Sequence, residues 1–229
     1  MKIGGLQKVS FSDYPGMITA IIFTQGCNFR CPYCHNPELA DPARYSETLS
    51  AKGILAFLEL RKGNLDAVTI SGGEPTLQPD LLPFLRKIRE FGYLIKVDTN
   101  GSRPDVLATL YEAGLVDYLA MDIKGPLEKY SFITKSNIHL AAVCKSIELI
   151  MASGVGYEFR TTAVKSLLQT EDFTRIAALI KPARRFVLQS FVPSKALEGQ
   201  YLSETPFTRS ELEEIGLSMQ KDLPCVLVQ

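Results

Sequence analysis

The sequence has few of the features that mark nucleic-acid-binding, membrane and disordered proteins. Its 25 basic residues are balanced by 25 acidic ones, and no basic tract suggests binding to nucleic acid or to an anionic membrane. The longest apolar run near the start, residues 17–23, is far shorter than the roughly 20 residues that cross a bilayer. With 16 glycines and 13 prolines, usage of both is close to average, which excludes a low-complexity chain.

The start of the chain also lacks the apolar core of a signal peptide. We therefore expect a cytoplasmic protein, in which thiols stay reduced. Three of the 5 cysteines lie close together between residues 27 and 34. In a reducing compartment such a group indicates metal or redox chemistry and not a disulfide framework.

Apolar runs typical of buried strands alternate with segments of helical period along most of the chain. No linker interrupts the alternation, so we predict one domain over residues 1–229 with parallel strands, either a doubly wound sheet or a barrel. Thr208 and Glu211 form a capping box that begins a last helix, and residues 225–228 suggest a short final strand. The remaining predicted strands cover 17–24, 66–70, 93–97, 116–121, 157–164 and 185–191, and the helices cover 51–61, 80–91, 105–113, 137–152 and 171–180.

The stretch CNFRCPYCHN at residues 27–36 has three interpretations. Cys31 and Cys34 form a C-x-x-C pair suited to thiol–disulfide exchange, and with His35 they match a haem attachment pattern. Cys27, Cys31 and Cys34 together could instead hold a metal site, either a zinc knot completed by His35 or an iron–sulfur cluster.

Polar and glycine-rich segments follow the predicted strands, which helps to separate these interpretations. Carboxyl ends of parallel strands meet at one edge of the sheet, so all of the segments should surround one pocket. Haem attachment belongs to exported proteins, and a small thiol oxidoreductase or a structural zinc knot would not need such a pocket. Three thiolates on a [4Fe–4S] cluster leave one iron free to bind a small molecule. The segments are residues 27–34, SGGEP at 71–75, DTNG at 98–101, DIKG at 122–125, and Gln189 with 191–193.

These motifs resemble the radical S-adenosylmethionine (radical SAM) enzymes, through the cysteine spacing at 27–34 and the GGEP at 72–75. The opening GGLQKVSFSDYPG, with SGGEPTLQ, DTNG and MDIKG, is similar to activating enzymes of glycyl-radical proteins, above all those of anaerobic ribonucleoside-triphosphate reductase. The resemblance implies a partial (β/α)6 barrel of the TIM type. It also implies a single [4Fe–4S] cluster, because no second cysteine-rich insert follows Cys34.

The resemblance also implies roles for individual residues. The three cysteines would hold the cluster, and S-adenosylmethionine would contact the remaining positions. Glycines lack a Cβ atom, so we expect a ligand to approach the backbone there, while carboxylates would accept bonds from an ammonium or from ribose hydroxyls. The implied contacts are Tyr33 and His35 for the adenine, Gly72, Gly73 and Glu74 for the methionyl amino group, and Asp98, Thr99, Asp122 and Lys124 for the ribose, the carboxylate and, in related activases, a monovalent cation.

The function implied is reductive cleavage of S-adenosylmethionine to generate a glycyl radical on a partner enzyme, with an electron from a flavodoxin- or ferredoxin-type donor. Two alternatives stay open: a pyruvate formate-lyase-type activase, and a small-molecule enzyme resembling carboxydeazaguanine synthase, with Arg160, Thr162 and Gln189 as candidate substrate contacts. The formate-lyase activators carry a histidine where this chain has LQSFVPS, which disfavours that assignment. We expect Cys144 and Cys225 to be inert core thiols and assign His139 no role.

Overall fold

The computed structural model describes all 229 residues and contains a single eight-stranded sheet. The strands lie in chain order across the sheet, with no reversal of order, as in a barrel and unlike a doubly wound sheet. Each of the two end strands pairs with only one other strand, apart from an isolated bridge between Ile3 and Leu49, so the barrel is incomplete. The strands are β1 (Ile3–Tyr14), β2 (Met17–Thr24), β3 (Ala67–Gly72), β4 (Leu94–Thr99), β5 (Tyr118–Asp122), β6 (Gly156–Ala163), β7 (Phe186–Ser190) and β8 (Val226–Val228).

Helices connect the parallel strands, which confirms the predicted alternation. Their apolar residues face the core; in the helix Leu81–Glu90, for example, Leu81, Leu85 and Ile88 are fully buried. None of the helices combines the length and the apolar character needed to cross a bilayer. The helices are α1 (Pro37–Ala40), α2 (Ala51–Leu60), α3 (Leu81–Glu90), α4 (Pro104–Glu112), α5 (Tyr130–Thr134), α6 (Leu140–Ala152), α7 (Thr170–Ile180) and α8 (Arg209–Met219).

The first strand corrects the expectation of an all-parallel sheet. β1 pairs antiparallel with β2 through a Pro15-Gly16 turn, in which Gly16 has a φ of +75°. The hydrophobic pattern of the sequence did not predict this strand, because a polar residue is buried in it and a large apolar residue is exposed. Ser10 is buried and accepts hydrogen bonds from the Ser12 and Asp13 amides, while Phe11 is 76% exposed. Register shifts along the β1–β2 pair accompany this inversion.

A buried lysine joins β1 to the parallel part of the barrel. Lys96 on β4 is fully buried, and its Nζ donates to the Asp13 main-chain oxygen at 2.8 Å. The same ammonium lies 3.4 Å from the Asp13 carboxylate and 3.0 Å from Asp98 Oδ1. An unpaired charge is costly to bury, so Asp13 on the N-terminal hairpin helps to neutralise the Lys96 charge inside the barrel.

Replacing this lysine tests whether its charge is needed for folding. Lys96→Met should lower the free energy of unfolding by about 3–5 kcal/mol, since it leaves the buried carboxylates with less compensation. Urea unfolding of the apoprotein measures the effect. Lys87→Met is the matched control, because Lys87 pairs with Glu90 on the surface and its loss should cost less than about 1 kcal/mol. Equal losses for both variants would refute the role given to Lys96.

Candidate active site

The loops at the carboxyl ends of β2 to β7 surround one polar cavity of about 980 Å³, a volume that includes its open mouth. Every site residue predicted from the sequence lines the cavity, with the exception of Glu74. The lining ones are Cys27, Cys31, Tyr33, Cys34, His35, Gly72, Gly73, Asp98, Thr99, Asp122 and Lys124.

The three clustered cysteines are free thiols on one wall of this cavity. Burial raises the pKa of Cys27 to about 11 and that of Cys31 to about 12, and it also raises the pKa of Cys34. Reactive thiols of exchange enzymes have the opposite property, a pKa lowered below the usual value. The thiol–disulfide interpretation therefore has little support from the site.

The zinc interpretation requires His35 to point at the same ion as the thiols. The His35 ring instead stacks on Phe191, with ring centroids 5.2 Å apart and planes 5° from parallel, and its Nε2 lies 3.0 Å from the Val192 main-chain oxygen. No three of the protein's His, Cys, Asp and Glu side chains are arranged as ligands of a single metal ion. The geometry thus differs from that of a compact Cys₃His knot.

The segment 191–198, which follows β7, holds the cysteine loop in place. Besides the contacts of His35, the Glu198 amide donates to the Pro32 main-chain oxygen at 2.9 Å. Arg44 donates to the Leu197 main-chain oxygen at 2.8 Å. Tyr33 meets the Phe191 ring edge-on, with centroids 6.2 Å apart. The loop that carries the thiols is therefore braced by a segment distant from it in sequence.

Two carboxylates and two cations form the floor of the cavity. Arg160 donates through Nε to Asp122 Oδ1 at 3.0 Å and lies 3.4 Å from Asp98 Oδ2. Lys124 donates to Asp122 Oδ2 at 3.0 Å. Burial raises the pKa of both carboxyls, but Arg160 together with Lys96 holds the pKa of Asp98 below its usual value, and Lys124 with Arg160 does the same for Asp122. Both aspartates are therefore ionised at neutral pH.

Glu74 is the one predicted site residue that does not line the cavity. Glu74 is fully buried outside the cavity, and its carboxylate accepts hydrogen bonds from the Thr76 amide and hydroxyl at 3.1 and 2.5 Å. It also accepts bonds from the Thr99 hydroxyl at 2.8 Å and the Asn100 amide at 2.6 Å. The carboxylate thus joins the ends of β3 and β4, and its expected contact with the methionyl amino group stays a prediction.

The two glycines before Glu74 are also required by the protein's own packing. A Cβ on Gly73 would lie 2.1 Å from the Gly26 main-chain oxygen, and one on Gly72 would lie 2.4 Å from the Thr24 amide nitrogen. Gly72 has a φ of +112°, which other residues rarely adopt. Sequence reasoning attributed these glycines to a ligand's approach, whereas the structure shows backbone against backbone.

Several polar side chains in the cavity had no predicted role. Ser71 donates to Asp98 Oδ2 at 2.9 Å, and Asn100 Nδ2 donates to Asn28 Oδ1 at 2.9 Å and lies 4.0 Å from Cys27 Sγ. Ser71 lies at the carboxyl end of β3 and Asn100 directly after β4. This position at the edge of the sheet was the feature of the sequence from which a role in the cavity could have been predicted. Also in the lining are Phe29, Asn36 and Ala40, together with Arg160, Thr162 and Gln189, the candidates for late-strand contacts.

The remaining cysteines and histidine lie outside the cavity. Cys144 and Cys225 were expected to be core thiols. Both are instead half-buried and lie outside the fully buried core. His139 precedes α6, and its side chain does not cap the helix. None of the three contributes to the cavity.

Comparison with known proteins identifies the family. The sequence model of the Radical SAM superfamily matches residues 21–179, which contain the carboxyl end of β2, the cysteine loop and the four strands from β3 to β6. The chain belongs to the radical SAM superfamily. Enzymes of this superfamily use a [4Fe–4S] cluster and S-adenosylmethionine, and three free thiols around one polar cavity fit the cysteine ligation that such a cluster needs.

Its relatives include activating enzymes of glycyl-radical enzymes. A Methanocaldococcus jannaschii protein, provisionally named as a glycyl-radical enzyme activating enzyme, is 32% identical over 99% of this chain and 95% of its own length. The pyruvate formate-lyase-activating enzyme of Clostridium pasteurianum is 31% identical over 86% of this chain and 83% of its own length. The 7-carboxy-7-deazaguanine synthase of Thermococcus kodakarensis is 26% identical over 85% of this chain and 83% of its own length.

Solved structures support the fold. Streptococcus suis SuiB bound to the precursor peptide SuiA superposes with a TM-score of 0.70 over 91% of this chain, at 16% identity. The chain spans about half the length of SuiB, 48%. This likeness confirms the predicted partial barrel.

Substitution of Gly73 distinguishes its two interpretations. Gly73→Ala should destabilise the apoprotein by about 1–3 kcal/mol, because the new methyl group overlaps the Gly26 carbonyl. Gly53→Ala on α2 is the control; its methyl group has room, and removing a helical glycine should stabilise by about 0.5–1 kcal/mol. Thermal and urea unfolding of the apoprotein measure both. A Gly73→Ala apoprotein of normal stability that fails to bind S-adenosylmethionine would support the ligand-based interpretation instead.

Proposed function

We propose that this protein generates a glycyl radical on a partner polypeptide, and that the partner is anaerobic ribonucleoside-triphosphate reductase. The observation that carries the proposal is that one cavity contains three free thiols and the ion-paired side chains of Asp122, Lys124 and Arg160. The chain that contains this cavity is similar, over nearly its whole length, to a relative named as a glycyl-radical activase.

In this proposal Cys27, Cys31 and Cys34 hold the cluster. Their raised pKa values mean that the apoprotein carries thiols at neutral pH, so cluster assembly must release protons. Burial of Cys31 and the brace from segment 191–198 keep the loop in one conformation. Three protein ligands leave room for S-adenosylmethionine at the cluster.

Residues on the other walls would hold S-adenosylmethionine. Tyr33, buried beside Phe191, would pack against the adenine, and the wall at Gly72 and Gly73 would meet the methionyl group. Asp98 and Asp122, both ionised, would accept hydrogen bonds from ribose hydroxyls. Lys124 lines the same cavity as the thiols, and its charge opposes the effect of burial on the pKa of Cys31. Its ammonium would bind the carboxylate of S-adenosylmethionine.

When bound, the cluster and S-adenosylmethionine supply an electron and a carbon-centred radical able to remove a hydrogen atom from glycine. The protein's own contribution is to orient the reacting groups and to limit the access of water. The open mouth of the cavity and the unclosed barrel leave space for a loop of a polypeptide to enter.

The choice of partner rests on sequence features. The opening GGLQKVSFSDYPG resembles activators of the anaerobic reductase, and it forms β1, which supplies Asp13 to Lys96. Where formate-lyase activators carry a histidine, this chain has Phe191 and Val192, which contact His35. We expect the electron to come from a flavodoxin- or ferredoxin-type donor in an anaerobic cytoplasm.

A second candidate is a radical SAM enzyme that acts on a small molecule. Arg160, Thr162 and Gln189 give the cavity wall polar side chains beyond those assigned to S-adenosylmethionine. The relative named as 7-carboxy-7-deazaguanine synthase also covers most of the chain. Such an enzyme would form deoxyadenosine with a small substrate and without any protein partner.

The decisive experiment combines the anaerobically reconstituted and reduced protein, S-adenosylmethionine and purified candidate partners. We expect a glycyl-radical doublet in the electron paramagnetic resonance spectrum with the anaerobic reductase alone. A doublet on another glycyl-radical enzyme would reassign the partner. Deoxyadenosine formed with a small substrate, and no doublet with any partner, would favour the second candidate.

Cysteine substitutions test the ligand assignment. Cys27→Ala, Cys31→Ala and Cys34→Ala should each lose the iron, about four atoms per chain in the wild type, and the doublet. Cys144→Ala and Cys225→Ala are the controls and should retain both, because these half-buried thiols lie outside the cavity. Retention of iron and doublet by any of the first three variants would contradict its role as a ligand.

A further inference from the structure

The monovalent cation implied by resemblance to other activases would need oxygen ligands on the cavity floor. The candidates are the carboxylates of Asp98 and Asp122 and the hydroxyl of Thr99. Oxygen is the ligand of choice for hard cations, and it must be free of competing donors. Whether these residues fit the ion therefore depends on what already contacts their oxygens.

The oxygens of Asp98 and Thr99 already face positive or donor groups of the protein. Asp98 Oδ1 makes no hydrogen bond, but the Lys96 ammonium lies 3.0 Å from it as an ion pair, and Asp98 Oδ2 accepts from Ser71 at 2.9 Å. Thr99 Oγ1 donates to Glu74 at 2.8 Å and accepts from the Gly101 amide at 3.1 Å. These residues do not offer a coordination site for a metal cation.

Both oxygens of Asp122 are also occupied, and the group between the two carboxylates is a guanidinium. Arg160 Nε donates to Asp122 Oδ1 at 3.0 Å, and Lys124 donates to Asp122 Oδ2 at 3.0 Å. Nη1 and Nη2 of Arg160 each lie 3.4 Å from Asp98 Oδ2. Arg160 thus bridges the aspartates from β6, beside Asp122 in the sheet register.

We infer that Arg160 takes the place of the monovalent cation in this protein, as a built-in positive charge between Asp98 and Asp122. The inference rests on the proposed function only in assigning the cavity to S-adenosylmethionine. A guanidinium stays protonated at any physiological pH and cannot dissociate, and its fixed fork of donors suits two carboxylates. The site should therefore work equally well whichever monovalent cation surrounds it.

The test compares potassium, sodium and tetramethylammonium chlorides at equal ionic strength. The last cation is too large and too apolar to bind between two carboxylates. For the wild type, we expect the same melting temperature of the apoprotein in all three salts. Affinity of the reconstituted protein for S-adenosylmethionine, measured by calorimetry, should also agree within about twofold.

Arg160→Gln should convert the floor into a cation site. In tetramethylammonium we expect S-adenosylmethionine affinity to fall at least about tenfold, because two neighbouring carboxylates, Asp98 and Asp122, lose their shared cation. Potassium or sodium should restore affinity and raise the melting temperature of the variant apoprotein in a saturable manner. Arg175→Gln is the matched control, an exposed arginine paired with Glu128, and should respond to the salts as the wild type does.

Two results would overturn the inference. One is a saturable rise of the wild-type melting temperature in potassium or sodium over tetramethylammonium, which decides the question even if Arg160→Gln fails to fold. The other is a folded Arg160→Gln variant whose lost affinity neither ion restores. Neither result depends on a partner enzyme, so a failure to form any glycyl radical would count against the proposed function and not against this inference.

Discussion

Buried charge must be neutralised by the protein itself, and this constraint organises the interior of the barrel. Negative and positive side chains alternate from the N-terminal hairpin to the wall that carries the thiols, each within 3.4 Å of the next. Each charged side chain in the series is paired with the next one. Moving any one of them would therefore leave the charge of its neighbour without a partner. The orientation of the cavity's carboxylates is therefore a property of the whole series. In order, its members are Asp13, Lys96, Asp98, Arg160, Asp122 and Lys124.

The parts of the site that the sequence predicted are those encoded locally. Cys27, Cys31 and Cys34 are close in sequence, and one loop brings them to one wall. Asp98 and Asp122 come from different strands, but both lie at carboxyl ends of parallel strands, and that edge is common to the whole sheet. The positions of helices and parallel strands followed from periodicity, since apolar spacing reports which face of an element is buried. Periodicity left the order of the strands open between a doubly wound sheet and a barrel.

The parts that could not be predicted depend on contacts between distant segments. Lys96 sits in a strand where an alternating lysine would ordinarily face solvent, and only β1 reveals that it is paired and buried. The buried Glu74 carboxylate does not line the cavity, and it accepts hydrogen bonds from Thr99 at the end of the next strand and from Asn100 just after it. β1 itself inverts the usual pattern, with Ser10 inside and Phe11 outside, so its periodicity gave no usable signal.

The irregular first strand has a bearing on how copies of the chain behave toward one another. An uncovered strand at the end of a sheet offers unpaired amides and carbonyls to any other extended segment, and flat, regular edges invite aggregation. Here the register shifts near Ser10 and Tyr14 bend the strand, and Lys8 puts an exposed charge on it. At the far end of the sheet, β8 has only three residues, from Val226 to Val228. The barrel can thus remain unclosed without presenting a long, regular strand edge to other copies of the chain.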